Sequence, residues 1–435
     1  MLIWNELDTA AQRQALARPV LKNSSALKQT VSEILADVEA EGDEAVLGFT
    51  RKFDCPDLTS LVLSSDQRDA LASQVSDEVA QAIDTAFTNI KRFHEAQQPE
   101  DVVMTTSPGV TCEQRFVALE SVGLYIPGGT APLPSTALML GVPAMVAGVS
   151  RKVLCTPPSA DGTIAPEIAF VAKRCGIDEI YLCGGAQAIA AMALGTESIA
   201  QVDKIFGPGN SFVTEAKQQV SLRPDGAAID MPAGPSEVLV LADKNANPAF
   251  VASDLLSQAE HGTDSQSILV SDSRTLIEQT QAEVEKQLSA LSRNEITVLS
   301  MENARYILTD DLNSAIEVSN RYAPEHLIVQ VAEPRQAMSR IKHAGSVFLG
   351  PWSPESAGDY ASGTNHVLPT YGYAKNYSSL GLLDFMRRFT VQELTEDGLR
   401  QLGPQIMTLA AAEGLDAHEK AVGLRLKALQ ESGDE

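Results

Sequence analysis

From residue 110 onward, short apolar runs alternate with longer amphipathic segments, and this rhythm restricts the fold more than any other feature of the chain. Runs at 122–126, 152–155, 180–183, 204–206 and 238–241 are rich in Val, Ile and Leu and too short for helices. Between them, 136–147, 164–175, 186–194 and 211–220 carry helical spacing. Buried strands separated by helices imply parallel pairing, because parallel neighbours need a crossover and the crossover is normally helical. The rhythm continues with strands at 267–270, 306–308, 327–331 and 346–349 and helices at 248–260, 276–291, 312–321 and 335–343. The expected fold class is therefore α/β, with two Rossmann-like α/β/α units and parallel sheets. The two units share an organisation but no sequence repeat.

The flanks read differently. Val31, Ile34, Leu35 and Val38 recur at helical spacing, Gly42 breaks the run, and Ala45, Val46 and Phe49 begin another helix. Val75, Val79, Ile83, Ala86, Ile90 and Phe93 predict one long helix over 66–97, with His94 at its surface or end. The tail predicts helices over 394–412 and 417–429, with Gly414 suited to a C-cap and Asp416 to an N-cap. Leu399, Leu402, Ile406 and Leu409 form a stripe that this hairpin cannot bury alone.

A net charge of −24 opposes nucleic-acid binding. The five cysteines are scattered without a CxxC pair, which argues against a zinc knuckle. The apolar run 137–149 is too short to cross a bilayer, and the first residues lack a signal-peptide pattern. The expectation is a cytoplasmic protein with reduced thiols and no membrane partner.

Several stretches carry groups capable of chemistry. Residues 352–370 (WSPESAGDYASGTNHVLPT) place Asp359 and His366 in a stretch rich in glycine, serine and proline, expected to be an irregular loop. Gln258 and His261 stand three apart, a spacing that puts both on one face of a helix and could grip a metal; a helix-end histidine also simply caps. Glu325 and His326 are adjacent after Pro324, suited to proton transfer or to a surface ion pair. Glu413 and His418 flank the tail corner. Three glycine turns, Pro127-Gly-Gly-Thr130, Gly184-Gly-Ala-Gln187 and Gly207-Pro-Gly-Asn210, could present backbone N–H groups to a phosphate or could be plain tight turns. No GxGxxG or Walker pattern is present.

The segments VGLYIPGGTAPLPST, VDKIFGPGN, IDMPAGPSEVLV, DLLSQAEHG, PEHL and SPESAGDYASGTNHVLPT resemble the histidinol dehydrogenase family over nearly the whole chain. The resemblance implies a homodimeric, NAD-dependent zinc enzyme that oxidises L-histidinol to L-histidine through L-histidinaldehyde, in the last steps of histidine biosynthesis. It implies Gln258, His261, Asp359 and His418 as zinc ligands, and Glu325 and His326 as acid–base groups. Ser236, His366 and Glu413 are implied as substrate contacts, joined by His326 and the four metal ligands, and Tyr125, Gln187 and Asn210 as nucleotide contacts. It implies further that the tail hairpin is exchanged, so that Glu413 and His418 serve the partner's site. The expected division is an N-terminal helical segment (1–24), a larger α/β domain (25–124 and 237–380), a smaller one (125–236) and a helical tail (381–435). Two other readings use the same residues: a zinc hydrolase, and a non-catalytic small-molecule binder with two α/β lobes.

Overall fold

The computed structural model describes residues 1–19, 25–128, 132–232, 234–292 and 294–431. The turn expected at Pro127-Gly-Gly-Thr130 runs into 129–131, and the first predicted segment into 20–24, both outside the described residues.

The first stretch of alternating elements builds a six-stranded sheet in the order Val62–Leu63, Glu179–Leu182, Arg151–Thr156, Ser121–Tyr125, Lys204–Phe206, Ala228–Ile229. All neighbours pair in parallel except the Val62–Leu63 edge, which is antiparallel. The second stretch builds another six-stranded sheet: Leu2–Ile3, Arg305–Leu308, Gln266–Ser271, Glu237–Ala242, His326–Gln330, Ser346–Leu349, parallel throughout. Numbered within each stretch, the five principal strands run 3-2-1-4-5 in both sheets. In each, the chain winds outward over three strands and then returns to the other side of the first. The point of return lies between Ser121–Tyr125 and Lys204–Phe206 in one sheet, and between Glu237–Ala242 and His326–Gln330 in the other.

Strand centres are apolar on both faces because helices cover both. Val153, Leu154, Leu239, Val240, Ile268 and Leu269 are all 0% exposed. Burying each such side chain contributes on the order of 1.5–3 kcal/mol before ordering costs.

The helices Ser25–Glu41, Asp43–Phe53 and Asp77–Glu95 share the first sheet's core through Val31, Val46 and Ile90. This corrects the expected division, which grouped 25–124 with the second sheet: periodicity reports that a helix has a buried face, not which sheet receives it. The first segment, expected to be helical, supplies the edge strand Leu2–Ile3 and the helix Thr9–Ala15 to the second sheet. The long helix expected over 66–97 is two, Ser65–Ala72 and Asp77–Glu95, because Ser64 and Ser76 each cap a new N-terminus. His94, expected at the surface or at a helix end, lies in the last turn of Asp77–Glu95 but is 0% exposed, with its Nδ1 on the Ile90 carbonyl.

The chain divides into two units, 1–97 with 119–385, and 98–118 with 386–435. The second unit contains an antiparallel sheet that the sequence reading did not anticipate, ordered Met386–Leu394, Val110–Ala118, Val102–Ser107. It also contains the helical hairpin Glu396–Ala412 and Asp416–Glu431. Among the described residues no helix is long and apolar enough to cross a membrane.

Candidate active site

The catalytic candidates gather at the amino ends of the second sheet. Ser236 precedes the strand Glu237–Ala242, and Glu325 precedes the neighbouring strand, which His326 begins. The two strands pair with Val238 opposite His326. A left-handed residue, Ala323 (φ +56°), ends the helix Leu312–Tyr322 and turns the chain into Pro324 and the Glu-His pair.

Residues 352–370 are not the wholly irregular loop expected. Glu355–Tyr360 is a short helix begun at Pro354, and it presents Glu355 and Asp359 one turn apart. Gly358 sits in it because a Cβ there would lie 2.7 Å from the Phe348 ring. Asn365 then pins the chain, donating to the Met139 carbonyl at 2.7 Å, and His366 follows. On the other side, the helix Pro248–Ala259 carries Gln258. His261 is not on that helix as expected, but one residue past its Glu260 cap, held by its N–H on the Gln258 carbonyl at 3.3 Å.

These elements bring His261, Glu355 and Asp359 together, with one ligand atom of each within 4.8 Å of the others. His326 lies among them, Nε2 3.6 Å from Asp359, and Nδ1 3.7 Å from both Glu325 and Glu355. Its Nδ1 also meets the Glu237 carbonyl at 3.2 Å. A carbonyl only accepts, so Nδ1 carries the proton in that contact and Nε2 is left to act as a base or ligand. His366 Nδ1 likewise donates to the Asp359 carbonyl at 3.0 Å.

The electrostatics are those of charge gathered out of water. Burial pushes Glu325 up to about 7 and Glu355 up to about 8, partly opposed by His326. Burial works against a charged His326, but Glu355, Glu325 and Asp359 outweigh it and raise its pKa. For Asp359 burial raises the pKa, while His326, His366 and His261 hold it below the usual carboxylate range. Burial lowers His366.

Of nine buried side-chain nitrogen or oxygen atoms without a hydrogen-bond partner among the described residues, four belong to Gln258 (both amide atoms), His326 (Nε2) and Glu355 (Oε2). Each such atom costs roughly 1–3 kcal/mol. Concentrating them at one point is what a protein does where a cation or polar ligand completes the bonds. The oxygen and nitrogen donors of Gln258, His261 and Asp359 fit a borderline divalent metal such as zinc.

Glu355 and Glu237 escaped the sequence reading. The signal for Glu355 was its i, i+4 spacing to Asp359 after a proline. For Glu237 it was one acid at the mouth of an apolar strand.

The nucleotide candidates stand at the carboxyl ends of the first sheet. Tyr125 ends its central strand, and its hydroxyl accepts the Gly185 N–H at 3.0 Å; burial raises its pKa. Gln187, 3% exposed, folds its amide back beside Gly185. Asn210 caps the helix Ser211–Ser221 by accepting from Phe212 and Val213 at 3.0 and 3.1 Å. Gly207 (φ +121°) leaves no room for a side chain, since a Cβ would meet the Tyr125 carbonyl at 2.1 Å. A cleft of about 590 Å³ runs from Asn210 to Ser236 and His261, and Tyr371 and Tyr373 also line it. Glu413 and His418 belong to the other unit, exposed at the corner of the hairpin.

A doubled 3-2-1-4-5 α/β fold with a histidine–carboxylate cluster beside a glycine-turned sheet edge defines an α/β protein with a candidate metal centre. The histidinol dehydrogenase family model matches residues 17–426. The chain is 56% identical over 422 residues to a histidinol dehydrogenase of Idiomarina loihiensis, covering 97% of this chain and 96% of that one. It is 54% identical over 431 residues to one of Vibrio cholerae, covering 99% of each. The crystal structure of histidinol dehydrogenase from Elizabethkingia anophelis superposes with a TM-score of 0.94 at 48% identity, covering 98% of this chain and 97% of that one. The chain belongs to the histidinol dehydrogenase family, a family of oxidoreductases.

Proposed function

We propose that this chain oxidises L-histidinol to L-histidine through L-histidinaldehyde, in the last steps of histidine biosynthesis, using zinc and two NAD per product. The observation that supports this most is the convergence of His261, Asp359 and His326 at the amino ends of the second sheet, together with the buried, unpartnered amide of Gln258 on the helix that leads to His261. Family membership supplies the substrate.

Gln258, His261, Asp359 and His418 would hold zinc, which when bound supplies a Lewis acid that fixes the imidazole and amine nitrogens of the substrate. Tyr125, Gln187 and Asn210 would hold NAD, which supplies the hydride acceptor. Ser236, His366 and Glu413 would orient the substrate. His326 takes the hydroxyl proton as the carbinol carbon loses hydride, leaving the aldehyde. Glu325 takes a proton from the water that adds to the aldehyde. Its burial suits a base working near neutral pH, since its pKa of about 7 matches the task. His326 removes the proton of the resulting diol as the second hydride leaves, giving the carboxylic acid. The enclosed position of both residues keeps bulk water from the aldehyde between steps.

The proposal includes a cytoplasmic homodimer in which the hairpin of one chain supplies Glu413 and His418 to the other. The exposed Leu409 and Leu424 of that hairpin support a partner for it. Mixing a His418→Asn chain with a His261→Asn chain should restore activity; verified heterodimers without activity would count against sharing. For the reaction itself, the test is NADH formation from histidinol before and after chelation, with metal analysis. Two NADH per histidinol, lost with zinc and regained with it, is the expected result. No NADH from histidinol with zinc present would overturn the reading.

A further inference from the structure

Glu237 is the charged opening of the strand Glu-Val-Leu-Val-Leu-Ala, and it is 2% exposed. Its backbone holds both groups assigned above to proton transfer. Its N–H donates to Glu325 Oε2 at 2.8 Å, and its carbonyl accepts from His326 Nδ1 at 3.2 Å. The placement of Glu325 and His326 therefore depends on the placement of this one residue.

The side chain of Glu237 is fixed from the far side by the N-terminal segment. Arg18 Nε donates to Oε2 at 2.6 Å and Nη2 to Oε1 at 2.9 Å, a two-pronged pair in which both oxygens are used. The Tyr322 hydroxyl adds a contact at 2.8 Å to Oε2. The same Arg18 Nη2 reaches the carbonyls of Tyr322 and Ala323 at 2.8 and 3.3 Å, and the guanidinium lies 4.0 Å above the Tyr322 ring. Ala323 is the left-handed residue from which the chain turns into Pro324, Glu325 and His326. Arg18 thus grips both attachments of the catalytic pair: the residue that hydrogen-bonds to it and the strained turn that delivers it. None of Arg18, Glu237 and Tyr322 lines the cleft, so none is placed to touch substrate there.

We infer that Arg18, acting through Glu237 and Tyr322, is a positioning residue for the Glu325–His326 pair. This rests on the roles proposed above for that pair. Lysine in place of Arg18 keeps a charge beside Glu237 but lacks the fork that spans two oxygens and two carbonyls.

The test uses the full-length, zinc-loaded protein carrying Arg18→Lys or Tyr322→Phe. Tyr322→Phe keeps the ring under the guanidinium and removes only the hydroxyl, so it reports even where an Arg18 variant fails to fold. Both should lose kcat, by about tenfold or more for Arg18→Lys, since small displacements of reacting groups carry such penalties. KM for histidinol and zinc content should stay within about twofold, because uniform binding is untouched. Guanidinium added to an Arg18→Ala chain should recover part of the lost kcat. Folded Arg18→Lys and Tyr322→Phe chains with unaltered kcat, or a loss confined to KM or zinc content, would overturn the inference. An unaltered chain that makes no NADH from histidinol would overturn the functional reading and this inference with it, whereas an active unaltered chain with unaffected variants would overturn this inference alone.

Discussion

The two sheets share one strand order and gather their candidate residues at opposite ends. In the first, the candidate residues stand at the carboxyl ends, at the switch between Ser121–Tyr125 and Lys204–Phe206, where ligands of open parallel sheets usually sit. In the second they stand at the amino ends, where Glu237 and His326 begin adjacent strands. The first edge is built from glycine turns, backbone N–H groups and a tyrosine. The second is built from carboxylates and imidazoles, among them the buried Glu325, His326 and Glu355. Sheet topology explains the position of the first edge. The position of the second follows from elements laid over it, namely the end of the helix Pro248–Ala259 and the helix Glu355–Tyr360. Shared wiring therefore does not determine which end of a sheet carries a site; the chemistry placed at each end does.

This contrast can be broken by experiment. If the second edge does the chemistry, His326→Asn should cost about a hundredfold or more in both half-reactions, measured as NADH from histidinol and from histidinaldehyde separately. Glu325→Gln should impair aldehyde oxidation more than alcohol oxidation, and equal losses would remove its assigned role. Next in size, His261→Asn should weaken zinc binding by at least about tenfold in a metal titration. Asn210→Ala, at the first edge, should leave zinc binding unchanged.

A third test concerns pH. Glu325 and Glu355 hold protons in the folded chain up to about 7 and about 8, whereas the unfolded chain loses them near 4.5. A raised acid pKa means that stability falls as pH rises from about 4.5 through the folded values. The raised His326 acts in the same direction, its contribution being present below 6.5 and lost as pH passes its folded value. The lowered His366 and His94 act in the opposite direction up to pH 6.5, so the metal-free chain should melt at progressively lower temperature between pH 6.5 and pH 8, and saturating zinc should flatten that slope. The smallest effect is expected at the first edge. Tyr125→Phe removes one hydrogen bond worth about 1 kcal/mol, and should raise KM for NAD a few-fold without altering zinc content. Comparable damage to zinc binding from Tyr125→Phe would erase the distinction between the edges.

The alternating strands and helices were legible because burial on both faces leaves an uninterrupted apolar run of strand length. What each element packs against was not. The faces of Val31 and Ile90 announce burial but do not name the first sheet as the receiver. The antiparallel sheet was hidden for another reason. Val102–Ser107 is largely exposed, and the far partner of Val110–Ala118 is Met386–Leu394, with Arg388 opposite Phe116. Within the site, His261, Asp359 and His366 could be singled out by residue type and turn context. Glu355 looked like one more acid in a polar stretch until the helix set it one turn from Asp359. Arg18 carried no local signal at all, since its function lies in contacts with Glu237 and Tyr322.

That separation has a kinetic consequence during synthesis. Arg18 leaves the ribosome well ahead of the carbonyl it must reach at Tyr322, which lies 304 positions later, about 15–60 s of translation at ordinary elongation rates. Glu237, the acid its fork spans, comes 219 positions after it, but until the end of that interval the arginine lacks the Tyr322 carbonyl, and the Glu325–His326 pair does not yet exist. All strands of the first sheet lie before residue 322, whereas His326–Gln330 and Ser346–Leu349 of the second come after it, so a ribosome stalled there would hold the first sheet's strands without the Glu325–His326 pair.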